Sequence, residues 1–382
     1  MLLNFFKLIR VKICRTPRRW YSNMKLTFHS LTHNHFMDQG YVADTLMEPL
    51  FWFVENFTKV LGPFFVLAVC ALTSFVVGVT YYLGLPYWWS ASPAATVGLL
   101  IIGHWLLINV VFNFYMACVT SPGHPPQGQL IPEAVSICKK CISPKPPRTH
   151  HCSICDRCVL KMDHHCPWLN NCVGHFNHRY FFMYMVYVVT GCLYIMVFGF
   201  SLAWDEVFGD GAYLQYVHEV DEEEVLIGHP VRFNHSKLIP MRERMQNGSF
   251  HPIPDLEPVI KTHATYRSTV IFVGLVVGGI TSVFVALGTL AYWHAKIISK
   301  GETSIENYIN KSETKRYAEN GLIYQNPYDF GLLANWKLFL GLTDGRGWRH
   351  ILLPSRHLPK GTGLSWETTT FEILQSDTAK EK

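Results

Sequence analysis

The residues best suited to chemistry lie together in the segment 161–168, which reads KMDHHCPW. Asp163, His164, His165 and Cys166 are each of a type that binds metals or transfers protons. Four consecutive side chains of a short segment cannot easily all reach one ion, because neighbouring side chains point in different directions. The segment therefore raises the question of which of these groups bind metal and which are left for other chemistry.

The spacing of the surrounding cysteines and histidines answers part of that question. Seven of the 11 cysteines lie between residues 138 and 172. Two ligand sets follow the pattern Cys-x2-Cys-x9-His-x6-Cys, and the second set begins 14 residues after the first. Three cysteines and one histidine are the composition of a closed tetrahedral zinc site. The sequence thus predicts two interleaved structural Zn²⁺ sites, formed by Cys138, Cys141, His151 and Cys158 and by Cys152, Cys155, His165 and Cys172.

Two alternatives to this assignment remain open at the level of sequence. His150 could replace His151 in the first site, although that choice breaks the 14-residue repeat. The thiols could also form disulfides, but the topology derived below places them in the cytosol, where thiols stay reduced. Zn²⁺ is therefore the expected use of these cysteines, and it would supply much of the stability of the domain.

Cys166 is the one cysteine of this segment that the two zinc sets leave over. A thiol acts as a nucleophile when a base removes its proton, and the base needs a group that orients it. His164 and Asp163 are of the right types for a Cys–His–Asp arrangement. The alternative is that Cys166 is a spare buried thiol and His164 an ordinary surface residue.

Four uncharged apolar runs of 21 to 25 residues indicate the class of protein. About 20 residues of α-helix cross a hydrocarbon core of about 30 Å. Charged residues make up 16% of the chain, below the roughly 25% of soluble domains. We therefore predict an all-α polytopic membrane protein with four transmembrane helices and a cysteine-rich two-zinc domain between helices 2 and 3. Residues 46–62 carry acids and a lysine within an apolar pattern, which favours an interfacial helix over a fifth span.

The charges of the connecting segments predict the orientation. Lys and Arg outnumber acids by 8 to 4 in residues 1–62 and by 7 to 3 in residues 119–180, whereas residues 204–267 hold 6 against 11. Because positively charged segments stay in the cytosol, both termini and residues 119–180 are predicted to be cytosolic. The net charge of +5 is too small and too dispersed to indicate a nucleic-acid partner.

The expected organisation is a cytosolic basic N-terminus with an interfacial helix (1–62), transmembrane helices 1 and 2 (63–118), a cytosolic zinc-binding domain (119–180), transmembrane helix 3 (181–203), a lumenal loop (204–267), transmembrane helix 4 (268–292) and a cytosolic C-terminal region (293–382).

The cysteine-rich pattern resembles that of the DHHC protein S-acyltransferases, or palmitoyltransferases. The tetrapeptide DHHC occupies residues 163–166, within a pattern of Cys and His that runs unbroken from Cys138 to Phe181. Four spans, with this domain between the second and third, are also similar to the family. Residues 303–306 read TSIE where the family has Thr-Thr-x-Glu, and residues 121–123 read SPG where it has Asp-Pro-Gly. The resemblance covers about residues 60–340.

The resemblance implies a protein S-palmitoyltransferase with a ping-pong mechanism. A long-chain acyl group would pass from acyl-CoA, such as palmitoyl-CoA, to Cys166 as a thioester and then to cysteines of membrane-associated substrate proteins. The implied location is the endoplasmic reticulum membrane, with the Golgi as the alternative. The competing function is a zinc-stabilised membrane adaptor without catalysis. The resemblance also implies roles for particular residues: His164 and Asp163 in catalysis, Ser304 and Asn326 in support, and Gly191 at the end of the acyl cavity, where a glycine leaves room for longer chains.

Several cations of the predicted cytosolic domain are candidates for binding the CoA phosphates. Ordinary cytosolic positive charge explains them equally well. They are Lys139, Lys140, Lys145, Arg148, Lys161 and Arg179.

Overall fold

The computed structural model describes residues 21–22, 24–30, 39–128, 131–207, 263–343, 345–369 and 374–375. Residues 1–20 of the predicted N-terminal segment, residues 208–262 of the predicted lumenal loop and residues 376–382 lie outside the described part. The described residues form long helices, three small hairpins and a C-terminal region of short helices and loops. The helices are α1 Gln39–Val79, α2 Leu85–Ala91, α3 Pro93–Val119, α4 His178–Val207, α5 His263–Ser299, α6 Ser304–Glu319, α7 Leu332–Leu340 and α8 Arg349–Leu352.

Four helices among the described residues are long and apolar enough to cross a membrane, which confirms the predicted number. Large apolar side chains remain exposed on their surfaces, for example Ile101, Phe200 and Tyr292. Such exposure is expected of helices that face lipid. The candidate spans are Asn56–Ala91, Pro93–Val119, His178–Trp204 and Val276–Ser299.

The first long helix runs without a break from Gln39 to Val79, so residues 46–62 are not a separate element. Their predicted position at the membrane interface stays a prediction. A π-helical turn, Thr80–Gly84, and the short helix α2 follow. Ser92 then caps α3, because its side chain accepts a hydrogen bond from the Ala95 amide at 3.4 Å.

Helix α4 packs against both α3 and α5 and carries much of the buried core. Tyr180, Phe181 and Met185 of α4 join Ala117 of α3 and Ile298 of α5 in one apolar cluster. This core positions the N-terminal end of α4, and the third hairpin lies immediately before that end. The hairpin is therefore attached to the best-packed part of the membrane region.

The 14-residue repeat of the sequence is a repeat of β-hairpins. Three antiparallel hairpins follow one another, and their first strands begin at Ser136, His150 and His164. Each ligand set takes two cysteines from one hairpin and a histidine and a cysteine from the next. The zinc sites therefore connect successive hairpins. The strands are β1 Ser136–Cys138, β2 Ser143–Lys145, β3 His150–Cys152, β4 Arg157–Val159, β5 His164–Cys166 and β6 Asn171–Val173.

The helix after the fourth span begins with a capping box. The Thr303 hydroxyl accepts from the Glu306 amide at 3.3 Å, and the Glu306 carboxylate accepts from the Thr303 amide at 2.8 Å. The chain continues through α7 and α8 and then returns to the hairpins. A short antiparallel pair joins β7, Leu322–Ile323, to β8, Leu374–Gln375.

Candidate active site and metal centres

The two predicted ligand sets each converge, with all ligand atoms within 4.8 Å of one another. In the first set, Cys141 Sγ lies 3.1 Å from His151 Nδ1 and 3.8 Å from Cys158 Sγ. In the second set, His165 Nδ1 lies 3.4 to 3.8 Å from all three sulfurs. Zn–S bonds of about 2.3 Å and Zn–N bonds of about 2.0 Å place tetrahedral ligands about 3.5 to 3.8 Å apart. Both sets therefore fit a structural Zn²⁺ ion.

The geometry also decides between the two histidines that the sequence left open. His151, rather than His150, contributes to the first set. The amides of Cys141 and Cys155 point at the sulfurs of Cys138 and Cys152, at 3.4 and 3.3 Å. Such amide donors stabilise thiolate ligands. The two zinc ions thus hold three hairpins together as one unit.

Cys166 occupies the position in the third hairpin that Cys138 and Cys152 occupy in the first two. Three residues further on stands Leu169, where the earlier hairpins have their second cysteine. Cys166 is 7% exposed and belongs to the apolar cluster around Phe181. Since it is not part of either zinc set, its thiol is left for other chemistry.

Asp163 and His164 form a hydrogen-bonded pair in front of this thiol. His164 Nδ1 lies 2.6 Å from Asp163 Oδ2, and Cys166 is two residues further along the same strand. The Asp163 side chain is fully buried, whereas 33% of the His164 side chain is exposed. The structure therefore brings together the three residues for which sequence predicted catalytic roles.

The carboxylate of Asp163 is held by the beginning of helix α6. The Ser304 amide donates to Asp163 Oδ1 at 2.7 Å, and the Ser304 hydroxyl donates to Oδ2 at 3.0 Å. The Asp163 amide donates to the Val173 carbonyl of β6 at 2.9 Å. The hairpin and the helix thus both determine where this carboxylate lies.

The electrostatics of the pair follow from these contacts. Burial alone would raise the pKa of Asp163, but the nearby His178 and the bond from His164 outweigh burial and hold that pKa well below its usual value. Burial would lower the pKa of His164, yet its hydrogen bond to Asp163 and its interaction with the nearby Cys166 raise that pKa to about 9. At neutral pH, His164 therefore carries a proton beside an ionised Asp163. A neighbouring imidazolium favours the thiolate form of a cysteine.

A buried ion pair stabilises α6 next to the site. Arg148 donates to the two carboxylate oxygens of Glu306 at 2.6 and 2.5 Å and to the Gly301 carbonyl at 2.7 Å. Its guanidinium also stacks on the rings of Tyr328 and Trp366. Arg148 is thus occupied within the protein, which corrects its inclusion among the candidates for CoA phosphates.

Two other predicted supporting positions lie on different elements. Asn326 donates to the Lys300 carbonyl at 2.7 Å and accepts from the Tyr328 amide at 3.1 Å. It therefore ties the loop before α7 to the end of α5. Gly191 lies within α4, where an added Cβ would meet nothing within 4 Å.

Sequence reasoning did not identify two buried histidines beside Asp163. His178 of α4 and His294 of α5 are 3% and 2% exposed, and their ring centroids lie 5.6 Å apart. In the sequence they are single histidines near the ends of two spans, and no repeated spacing relates them. Nor did the sequence identify the contact of Arg179 with the carbonyls of Ser355 and His357, at 2.9 and 3.0 Å. That contact also removes Arg179 from the candidates for CoA phosphates.

Comparisons with known proteins agree with this geometry. The DHHC palmitoyltransferase family matches residues 132–311. Palmitoyltransferase ZDHHC16 of Homo sapiens is 42% identical over 354 residues, which cover 92% of this chain and 87% of that protein. Palmitoyltransferase ZDHHC16A of Danio rerio is 40% identical over 368 residues, covering 94% of this chain and 92% of that protein. Probable protein S-acyltransferase 16 of Arabidopsis thaliana is 27% identical over 290 residues, covering 72% and 82%.

Proposed function

The chain belongs to the DHHC palmitoyltransferase family and is a protein S-palmitoyltransferase, and on that basis we propose that Cys166 carries the acyl group between acyl-CoA and the substrate protein. The observation that most supports this role is the bonded series Ser304–Asp163–His164 beside a thiol that neither zinc set uses. In this proposal His164 accepts and donates protons. Asp163 orients His164, and Ser304 orients Asp163.

In the first half of the reaction, Cys166 Sγ attacks the thioester carbonyl of a long-chain acyl-CoA. A bond forms between the carbonyl carbon and Cys166 Sγ while the bond to the CoA sulfur breaks. The departing CoA thiolate takes the proton that His164 held. Because the pKa of His164 is about 9, the imidazole keeps this proton at neutral pH and can give it to the CoA thiolate, a base of similar strength.

In the second half, a cysteine of the substrate protein gives its proton to His164. The resulting thiolate attacks the acyl group on Cys166, and Cys166 leaves as a thiolate. Each half exchanges one thioester for another, so acyl-CoA is the only source of free energy required. Proton transfer by a positioned histidine contributes about 10²–10⁴-fold to such a rate.

The acyl chain is proposed to lie among the membrane spans, because each buried methylene contributes about 0.8 kcal/mol. We place Gly191 of α4 at the end of this cavity, supported by the finding that an added Cβ at this position would meet nothing within 4 Å. A tyrosine there would shorten the cavity. We expect Gly191→Tyr to lower the use of stearoyl-CoA relative to palmitoyl-CoA when the two compete in a labelling reaction. An unchanged ratio of the two products would remove Gly191 from this role.

The hairpins and both termini are proposed to face the cytosol, on the membrane of the endoplasmic reticulum with the Golgi as the alternative. The excess of Lys and Arg in residues 1–62 and 119–180 supports this orientation. The substrates are then membrane-associated proteins with cytosolic cysteines. Protease added to sealed microsomes should remove tags from both termini and spare a tag inserted into residues 204–267. Protection of either terminal tag would contradict the orientation.

The role of Cys166 is tested by labelling the purified full-length protein in detergent with a clickable palmitoyl-CoA analogue. We expect hydroxylamine-sensitive label on the wild type and on the control Cys192→Ser, which changes a buried cysteine of α4. We expect no label on Cys166→Ser and little on His164→Ala. Zinc is measured on the same samples, and both cysteine sets should keep their ions in every variant, so that each variant binds as much zinc as the wild type.

The same experiment addresses the alternative of a zinc-stabilised membrane adaptor. Equal labelling of the wild type and Cys166→Ser would exclude Cys166 as the acyl carrier. Loss of one zinc ion in Cys166→Ser would show that Cys166 is a metal ligand and that the ligand sets are assigned incorrectly. Either result would favour the adaptor over the proposed mechanism.

A further inference from the structure

We propose that Asp163, His178 and His294 form a third metal site, distinct from the two zinc sets, for a divalent transition-metal ion such as Zn²⁺. Ligand atoms of these three residues lie within 4.8 Å of one another. The residues are 1%, 3% and 2% exposed. They come from the third hairpin, α4 and α5, so an ion bound here would join the hairpins to two membrane helices.

The strongest support is that imidazole nitrogens are buried at this point without partners. Within the described part of the chain, Nδ1 and Nε2 of His178 and Nδ1 of His294 make no hydrogen bond. A buried polar atom without a partner costs about 1–3 kcal/mol. A metal ion beside the Asp163 carboxylate would bind one nitrogen of each ring, and it would thereby give His178 a partner that no hydrogen bond supplies.

Two other histidines of the chain provide a comparison, because their ring nitrogens make hydrogen bonds. His175 is 6% exposed and hydrogen-bonds to the Gly361 carbonyl at 3.2 Å. His104 of α3 bonds to the Leu100 carbonyl at 2.6 Å and to the Tyr81 hydroxyl at 2.7 Å. His178 and His294 are more buried than either of these histidines. Ring nitrogens of both nevertheless make no hydrogen bond.

The types of donor favour a metal ion as the ligand. Two imidazoles and one carboxylate bind zinc in catalytic sites and bind other first-row divalent ions as well. The rings of Phe181 and Phe339 line the histidines, with centroids 5.2 Å from His294 and 5.0 Å from His178. Apolar walls lower the local dielectric constant and strengthen the attraction between an ion and a carboxylate.

Asp163 has the capacity to bind an ion and still hold His164. Its Oδ2 is engaged by His164 and by the Ser304 hydroxyl, whereas its Oδ1 accepts only from the Ser304 amide among the bonds described above. Each carboxylate oxygen can accept in two directions. Oδ1 therefore retains one direction for a metal ion.

The test is the number of metal ions bound by purified full-length protein in detergent, after equilibration with Zn²⁺ and removal of free ions by desalting. We expect three ions per chain in the wild type and two in His178→Phe and in His294→Phe. His175→Phe, a matched buried histidine outside the cluster, should keep three. The two ions of the cysteine sets report on folding in every sample, because a variant that has unfolded loses them as well.

A cobalt titration tests the types of ligand atom directly in the wild type, and one variant then tests His178. Co²⁺ added to protein that already holds two zinc ions should give weak d–d absorption, without the intense charge-transfer band of thiolate ligands. His178→Gln should remove this spectrum. Neither measurement involves acyl transfer, so failure of this proposal is distinguishable from failure of the proposed mechanism.

Three results would overturn the third site. One is a wild type that binds two zinc ions and gives no cobalt spectrum, which would leave water or a shared proton as the partner of the nitrogens. Another is a third ion that persists in both histidine variants, because it would then lie elsewhere. The last is a cobalt spectrum with thiolate charge transfer, which would place the ion at a cysteine.

Discussion

Asp163 is the residue at which the hydrogen bonds of the site converge. It accepts from His164 at 2.6 Å and from the amide and hydroxyl of Ser304 at 2.7 and 3.0 Å. A buried carboxylate requires such bonds, since burial without them is costly. Here the same bonds determine which way the His164 ring faces. The proposed base, His164, is therefore oriented before any substrate binds, which favours efficient proton transfer.

Changing Ser304 tests how much this orientation matters. Ser304→Ala removes the hydroxyl bond to Asp163 and keeps the amide bond. A hydrogen bond to a charged group contributes about 1.5–3 kcal/mol, so we expect the rate of Cys166 acylation to fall about 10-fold or more. Ser304→Thr keeps a hydroxyl and should restore most of the rate. Single-turnover labelling measures both, and an unchanged rate in Ser304→Ala would show that the hydroxyl is dispensable.

The pKa of His164 predicts how stability depends on pH. Burial would lower this pKa, but the hydrogen bond to Asp163 and the interaction with the nearby Cys166 raise it from 6.5 to about 9. The folded state thus binds the proton more tightly than the unfolded state. Its contribution to stability is complete below pH 6.5 and is lost as the pH rises to about 9.

We therefore expect the melting temperature of the wild type to exceed that of His164→Gln by several degrees at about pH 6 and by much less at about pH 9.5. His350→Gln, a histidine of α8, serves as the control and should show no such trend. Thermal unfolding in detergent followed by intrinsic tryptophan fluorescence measures the difference. A difference that stays constant with pH would mean that His164 does not hold the proton.

At the scale of elements, the third hairpin keeps the backbone plan of the first two and shares the second zinc site, but Cys166 and Leu169 stand where the earlier hairpins each have two zinc-binding cysteines. Cys166 pairs with Asn171 as Cys152 pairs with Arg157. Helix α1 supports the turn, since an added Cβ at Gly62 would lie 2.1 Å from Asn170 Oδ1. Phe65 of α1 also packs on Trp168, with ring centroids 4.8 Å apart. The hairpin that carries Cys166 is thus held partly by a membrane helix and partly by the second zinc site.

The turns of the three hairpins provide a prediction about stability. Ile142, Asp156 and Asn170 occupy equivalent positions with φ of 50°, 56° and 50°. Asp and Asn tolerate this left-handed conformation, whereas a β-branched residue is strained there by about 1–2 kcal/mol. Ile142 is also 86% exposed, so its side chain contributes little packing.

We expect Ile142→Asn to stabilise the first zinc site by about 1 kcal/mol. The measurement is the rate at which a chelator removes zinc, which should fall several-fold. The control is Ile137→Asn. It changes an equally apolar residue on strand β1 that is 71% exposed and does not have a positive φ. Equal chelation rates for Ile142→Asn and the wild type would show that the turn is not strained.

These elements also show why some features could be predicted from the sequence and others could not. The zinc ligands could be predicted because they recur at a fixed spacing along the chain. The contact of Ser304 with Asp163 followed from a family pattern of similar form. The support of the third hairpin by Gly62 and Phe65 and the approach of His178 to His294 depend on how helices pack, which no spacing records. The charges within residues 46–62 favoured an interfacial helix over a fifth span, and the structure shows these residues within the continuous helix α1, whose full length the charges alone did not reveal.

At the scale of the whole molecule, the C-terminal segment 349–369 connects the membrane helices to the hairpins. The Leu352 carbonyl accepts from Trp105 of α3 at 2.8 Å, and the Ile351 carbonyl accepts from Tyr187 of α4 at 2.7 Å. Further along, Trp366 stacks on Arg148 of the hairpin region, 4.8 Å from its guanidinium carbon. The segment lies beyond the family match, which ends at residue 311. It therefore extends the common domain with contacts that reach from the spans to the ion pair beside the site.

Arg179 is the residue through which this connection can be tested. One guanidinium nitrogen donates to the carbonyls of both Ser355 and His357, and the side chain is buried. Arg179→Leu removes the hydrogen bonds to both carbonyls. We expect the segment to detach more often, and trypsin cleavage after the exposed Arg356 to become several-fold faster. Arg179→Lys should restore part of the protection, because a single ammonium group can donate to both carbonyls.

The control for this change is Arg349→Leu, since Arg349 is exposed on α8 and its loss should leave the cleavage rate unchanged. Because Trp366 stacks on Arg148, detachment of the segment should also loosen the pair of Arg148 and Glu306 at the start of α6. Hydrogen exchange of residues 304–307 should therefore increase in Arg179→Leu together with trypsin cleavage. Faster cleavage without faster exchange would show that the C-terminal segment covers the protein without stabilising the site. No change in either rate would show that the two hydrogen bonds of Arg179 do not hold the segment in place.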